Sequence, residues 1–296
     1  MSGRHKPITL VQLEKIIRAT GGHSAASDYA KKLLPKINRL RNDRGFDSLL
    51  SQLQNARDPG DFRGRVLEVN FADLFVKKNI EIRYGAKQGS SGDVDFCLFV
   101  KGNCVFVEMK LLGQDTATKI KMEKQLNENG FYSIVKADDT FDIARIQRDI
   151  FGKSSTKKFN PQPEQNWVNL VAIDVSELQL DTIDIWDCLL AVGGNNLVRE
   201  HCQRPAVVGV FEPPDIALSE EQKKWVEFYH PLFDESMPHP RGYIHGVLFL
   251  FRNPKELAAL SYKLSGAVVW NPALIDHTRA RSIGNTFYQI VPALVV

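Results

Sequence analysis

Two short apolar-rich runs, Asp95–Val100 and Cys104–Leu111, flank Lys101-Gly102-Asn103 and constrain this chain more than any other stretch. Glycine and asparagine tolerate positive φ, so the natural reading is two antiparallel strands joined by a tight turn. Gly89-Ser90-Ser91-Gly92 is a flexible approach to the first strand. Strands this apolar read as buried on both faces, where a charge is costly unless it binds something. Three charges sit there nonetheless: Asp95 at the start of the first strand, Glu108 and Lys110 near the end of the second. Side chains alternate along a strand, which puts Glu108 and Lys110 on one face and Met109 on the other. With a turn at 101–103, Asp95 folds back opposite Glu108.

Upstream, Phe62–Lys78 reads as a helix with Val66, Leu67, Phe71, Leu74 and Phe75 as its apolar side, and it carries Glu68. Asp95, a turn, the tripeptide Glu108-Met109-Lys110 and a helix-borne acid before them resemble the PD-(D/E)XK nucleases, the restriction-endonuclease-like superfamily. Gly92-Asp93-Val94-Asp95 is similar to the entry string of its Holliday-resolvase-like and DNA-repair branches, with Val94 where the naming proline stands. The resemblance covers about residues 62–112. Gln125 and Tyr132 are spaced differently from the Gln and Tyr of some branches, and no role is carried over to them.

The resemblance implies an α/β fold: a restriction-endonuclease-like mixed central sheet flanked by helices, here preceded by an N-terminal helical segment. It implies a metal-dependent deoxyribonuclease acting as an endonuclease, with DNA as partner and a homodimer left open. The catalytic set would be Asp95, Glu108, Lys110 and Glu68. The chemistry accounts for these residue types. Hydrolysing a phosphodiester builds negative charge on phosphoryl oxygens, and Mg²⁺ is a hard cation that prefers carboxylate and carbonyl oxygens. Asp95, Glu108 and the Met109 backbone carbonyl supply such oxygens, with Glu68 a further ligand and Mn²⁺ an acceptable substitute for Mg²⁺. Lys110 would orient the attacking water and offset charge. Two other functions stay open: a nucleic-acid-binding module of the same fold without catalysis, and a metal-dependent hydrolase of a small phosphodiester.

Charge distribution bears on the choice. Residues 1–60 hold eleven Lys/Arg and five Asp/Glu, a balance of +6, which against a total of +3 leaves −3 for the remainder. Lys31, Lys32, Lys36, Arg39, Arg41 and Arg44 gather in one predicted helical stretch and fit a phosphate-binding arm or a solvated helix face. Lys119, Lys121 and Lys124, on a helix expected over Thr116–Glu128, carry the same two readings. Cys97, Cys104, Cys188 and Cys202 show no paired framework, which suits a reducing cytosol. The amino terminus has no apolar leader and runs such as Val247–Phe251 are too short for a bilayer, so a soluble cytoplasmic protein without membrane partners is expected. The histidines are scattered without zinc-ligand spacing.

The breaker Asp58-Pro59-Gly60-Asp61 divides the chain into a basic helical segment, residues 1–58, and a nuclease-like α/β body with a C-terminal extension, residues 59–296. Helices are expected over 8–20 and 26–54, with Pro35 kinking or restarting the second. Ile80–Tyr84 reads as a first strand, Phe131–Lys136 as a short strand and Phe141–Phe151 as a helix. Gly152–Asn166 is polar, basic and proline-bearing, and reads as a long loop. Beyond it, strands are expected at Val168–Val175, Ala206–Phe211, Tyr243–Phe251 and Ala267–Trp270. The expected helices there are Thr182–Leu190, Ser219–Tyr229 and Pro254–Leu264. The simpler arrangement has these strands extending the first sheet.

Overall fold

The computed structural model describes residues 7–20, 26–88, 92–113, 116–129, 139–176, 178, 183–212, 217–229, 238–252 and 264–291. The expected strand 131–136 and the helix 254–264 lie almost wholly outside these ranges.

The N-terminal part folds as three helices, α1 (Leu10–Ala19), α2 (Ala26–Asn42) and α3 (Asp47–Gln54). Thr9 starts α1 with a capping box, its side chain bonded to the Gln12 amide. Pro35 sits inside α2 without ending it, and the restart comes instead at a 3₁₀ turn, Arg44–Phe46. The breaker at 58–61 is a helix start. Asp58 caps α4 (Pro59–Lys77) through the Gly60 and Asp61 amides, and Pro59, which lacks a donor, takes the first helical position.

Among the described residues the body is a mixed α/β layer around an open six-stranded sheet in the order β1-β2-β3-β4-β5-β6. The strands are β1 (Ile82–Lys87), β2 (Asp93–Val100), β3 (Asn103–Leu111), β4 (Trp167–Asp174), β5 (Gly246–Arg252) and β6 (Leu264–Trp270). The β2–β3 turn uses Lys101 at φ 50° and Gly102 at φ 77°, the positive values a two-residue hairpin turn requires. Two parallel pairings, β3 with β4 and β4 with β5, lie between antiparallel edges. The later strands therefore extend the hairpin's own sheet. Parallel neighbours bury both faces, and in β4 every residue after Trp167 is buried.

Six further helices complete the described residues: α5 (Thr116–Asn129), α6 (Asp139–Lys153), α7 (Ile185–Gly193), α8 (Asn196–Cys202), α9 (Glu220–Tyr229) and α10 (His277–Ile290). Helices α1–α4 and α10 share one buried cluster with Phe96, Leu98, Val105, Val107 and Met109, so residues before and after the breaker are packed together. Helices α6 and α7, with Trp225 of α9, cover the opposite face, against Cys97, Phe106, Val171 and Ile173.

The expected strand Ala206–Phe211 is irregular chain. Its backbone is satisfied elsewhere: Val210 and Phe211 amides donate to Ala191 and Val192 carbonyls of α7, and the Gln147 side chain donates to Val208. Buried apolar residues made it read as a strand, but its hydrogen bonds go to a helix end. The expected long loop 152–166 is irregular chain from Ser154 to Asn166. Helix α6 runs through Lys153, and the rest is pinned by the fully buried Phe159 and by the Asn160 amide donating to Gln88. The Tyr243 hydroxyl holds it from below by donating to the Ser154 carbonyl.

Candidate functional site

The β2–β3 ladder runs from Val100–Asn103 to Phe96–Val107, and one step further Asp95 faces Glu108. Here the backbone pairing gives way to a side chain: the Met109 amide donates to Asp95 Oδ2 at 2.7 Å. In a strand the N–H and C=O of one residue leave on the same edge, so the Met109 carbonyl faces Asp95 as well. Met109 packs its side chain into the cluster beneath α4, while Glu108 and Lys110 turn toward α6. The alternation expected from the sequence is the one observed.

Glu108 is fully buried. Its Oε1 accepts Lys153 Nζ of α6 at 2.7 Å and Lys158 Nζ of the following turn at 2.6 Å. Its Oε2 is buried with no hydrogen-bond partner. Burial pushes the Asp95 carboxyl above its ordinary value, and the neighbouring Glu108 charge pushes it further, against the Met109 amide and the two lysines. Glu68 reaches the same end of the sheet from the other face. Both its oxygens accept Arg65 Nη1 at 3.0 Å, and Oε2 accepts the Tyr84 hydroxyl at 3.1 Å. Burial first, then the Asp95 charge, raises Glu68 to about 7. Asp95 therefore stands between two acids: the Glu108 charge raises it, and its own charge raises Glu68.

Lys110 lies two residues beyond Glu108, 3.6 Å from Asp149 of α6 and partly exposed. A cleft of about 200 Å³ opens between the start of α4 and the end of β3, lined by Arg65, Glu68, Met109, Lys110 and Lys153 among others. Gly60 and Gly64, one turn apart on α4, also line it and keep that wall low.

The donor set suits a hard, largely hydrated cation. Mg²⁺ takes one or two carboxylates and keeps several waters, and Asp95, the unpartnered Glu108 oxygen and the Met109 carbonyl offer that much. The full set of three acids does not converge. Among the described residues no three His, Cys, Asp or Glu side chains group as a metal site. The reason is visible in their partners: Glu68 is turned to Arg65 and Tyr84, Glu108 to two lysines.

The basic residues of the sequence reading are not one exposed stripe. Lys31 and Lys32 are exposed, Lys31 lying 3.6 Å from Asp28. Lys36 and Arg39 turn inward to Asn70 and the buried Asp73 of α4, and burial lowers the Lys36 pKa. Arg41 is half-buried, and the Arg44 side chain lies outside the described residues. On α5, Lys121 and Lys124 are exposed, and the Lys119 side chain is not among those described.

Sequence reasoning did not single out Lys153, Lys158, Arg65 or Tyr84. Lys153 and Lys158 do sit in the stretch noted as basic. The signal for them is topological: β4 begins beside Cys104, so the connection from α6 must run back past Glu108. Gly92 also gains a role. A Cβ there would meet the Lys157 carbonyl oxygen at 2.4 Å, so glycine is what lets the lysine-bearing turn close on β2.

Compared with family models, with curated proteins and with solved structures, the chain finds no match.

Proposed function

We propose that this chain is a metal-dependent deoxyribonuclease, an endonuclease of restriction-endonuclease-like architecture. The observation that carries the reading is the Asp95–Glu108 pair at the open end of a buried hairpin, with one Glu108 oxygen buried and unpartnered and lysines on its flank. Buried carboxylates are costly, and Asp95, raised by burial and by the adjacent Glu108 charge, marks a site poised for a cation. Asp95, Glu108 and the Met109 carbonyl would hold Mg²⁺, with Glu68 available through water. When bound, the ion polarises a phosphoryl oxygen and lowers the pKa of a coordinated water. Lys110 and Lys153 both line the cleft, and there they would meet phosphate oxygens and offset the charge that grows on them. Four free cysteines suit a cytoplasmic setting, and no helix among the described residues is long and apolar enough to cross a membrane.

The test is incubation with plasmid, linear and branched DNA in Mg²⁺, Mn²⁺ or EDTA. Nicking or linearisation of covalently closed plasmid in Mg²⁺, abolished by EDTA, is expected. Intact DNA in every arm would remove the enzyme reading. One observation favours a second function, a DNA-binding module without catalysis: Glu108 already has two ammonium partners. That alternative predicts DNA binding that is the same in Mg²⁺ and EDTA.

A further inference from the structure

Lys153 and Lys158 approach Glu108 from two different elements, the end of α6 and the turn after it, and both end on the same oxygen. Neither is an incidental surface pair, since Glu108 is fully buried and the two lysine side chains are only 29% and 35% exposed. The turn that carries Lys158 is fixed by Phe159, Asn160 and the close approach of Gly92. Its geometry is part of the fold. The immediate charges, Asp95 and Glu108 against Lys153 and Lys158, already cancel. A divalent cation added alone leaves an excess of positive charge in a partly buried site, because it meets Glu108 Oε2 while both ammoniums stay on Oε1 of the same carboxylate. A phosphodiester added alone brings a negative charge beside two carboxylates. Added together, the ion takes the carboxylates and the phosphate oxygens accept the lysines, so every charged group ends with a partner.

We infer that Lys153 and Lys158 are internal counter-ions of Glu108 that make divalent-metal binding and nucleic-acid phosphate binding depend on one another. This rests on the metal-dependent reading of the same site. Without DNA the lysines compete with the ion for the charge of Glu108, and with DNA they transfer to the phosphate. Linkage requires the effect to be reciprocal, so the metal raises DNA affinity by the factor by which DNA raises metal affinity.

The experiment uses the full chain and reads binding rather than turnover. Mn²⁺ affinity is measured by electron paramagnetic resonance without DNA. Affinity for a phosphorothioate duplex, which keeps its charge and resists hydrolysis, is measured by anisotropy with and without Mn²⁺ at fixed ionic strength. Wild type is compared with Lys153→Met and Lys158→Met, each of which keeps its apolar stem and leaves Glu108 one ammonium. Each variant is expected to bind Mn²⁺ about tenfold tighter without DNA, within the usual range of coupling effects. Mn²⁺ should tighten DNA binding about tenfold in wild type and markedly less in the variants. Variants that bind Mn²⁺ no tighter than wild type overturn the counter-ion role while leaving the metal-dependent reading standing. Absence of Mn²⁺ binding by all three proteins, with or without DNA, overturns both. A variant that does not fold leaves the wild-type coupling to decide: DNA affinity independent of Mn²⁺ overturns the inference by itself.

Discussion

The Asp95 carboxylate accepts the Met109 amide at 2.7 Å, so one side chain both closes the end of the hairpin and faces Glu108. These two roles separate by substitution. Asp95→Asn keeps an oxygen that accepts the amide and loses the charge, whereas Asp95→Ala loses both. Cleavage should vanish in both variants. Stability should hold in Asp95→Asn and fall by about 1 kcal/mol in Asp95→Ala, the usual net worth of a hydrogen bond. Plasmid cleavage and urea unfolding measure the two effects. Cleavage by Asp95→Asn at the wild-type rate would leave Asp95 a structural residue only.

Lys110 is the cation nearest Glu108 in sequence that does not bond it. Its 3.6 Å contact with Asp149 is partly exposed, a pair worth less than about 1 kcal/mol to the fold. Lys110→Ala should therefore fold normally and cleave slower by roughly 10²–10⁴, the cost of losing acid–base help. Lys110→Arg keeps the charge without the compact ammonium and should fall between the two. An alanine variant as fast as wild type in single turnover would show this lysine to be a solvated surface charge.

The structure divides the basic set on α2 into two kinds of residue with opposite expectations. Arg39 and Lys77 hold the buried Asp73, so Arg39→Gln should cost about 2 kcal/mol, less than the roughly 3–5 kcal/mol of a buried charge left alone, because Lys77 remains. Lys31 and Lys32 are exposed, and if they meet DNA phosphates, each change to Gln should reduce the slope of log affinity against log salt by roughly one. Fluorescence anisotropy over a salt series reads this. An unchanged slope in the double variant would assign both lysines to helix solvation.

Glu68 and His245 give the pH profile of stability two opposed slopes. Burial and Asp95 raise Glu68 to about 7, so the folded state keeps a proton that the unfolded chain releases near 4.5. Its contribution is complete below about 4.5 and is lost as pH rises through 7. Burial first, then Arg279, lowers His245 to about 4, and its Nδ1 accepts the Asn169 amide. Its contribution is complete above the ordinary 6.5 and is lost as pH falls toward 4. Each is worth at most about 3 kcal/mol, and the two oppose each other between about pH 4.5 and 6.5. Glu68→Gln removes the first, so its stability should climb more steeply than that of wild type across that window. Parallel urea midpoints for the two proteins from pH 4.5 to 7 would mean that Glu68 is ionised in the fold.

How far the sequence revealed this arrangement depended on the range of the interaction. The hairpin, its turn at Lys101-Gly102 and the facing of Asp95 and Glu108 were legible because strand alternation and turn chemistry are local. The helix bearing Glu68 was legible for the same reason. Whether Glu68 and Glu108 point at one spot was not, since it depends on Arg65, Tyr84, Lys153 and Lys158, which are brought in by tertiary packing. Lys36 and Arg39 looked like surface charge because no local pattern announces Asn70 and Asp73, thirty-four residues away on the helix packed against theirs. Ala206–Phe211 misled as a strand because burial leaves the same apolar mark whether the backbone bonds a neighbouring strand or a helix end.

Two glycine-to-alanine changes test whether the turn before β4 fixes Lys158. Gly64, in the middle of α4, has nothing within 4 Å of where a Cβ would stand. Alanine there removes the entropy cost of a helical glycine and should stabilise the protein by about 0.5–1 kcal/mol. At Gly92 the added methyl would stand 2.4 Å from the Lys157 carbonyl oxygen and 3.1 Å from its carbon, which are backbone atoms that cannot swing away. Either β2 or the turn must move, at a cost of about 1–3 kcal/mol. The turn is the part that carries Lys158, so its displacement should lengthen the 2.6 Å contact with Glu108 and leave Lys153 as that oxygen's remaining ammonium. Gly92→Ala should then unfold at lower urea than wild type and, without DNA, bind Mn²⁺ more tightly, in the manner of Lys158→Met. Gly64→Ala should unfold at higher urea with Mn²⁺ affinity unchanged. Wild-type stability and metal affinity in Gly92→Ala would show that the turn yields freely and that Lys158 reaches Glu108 without being held there.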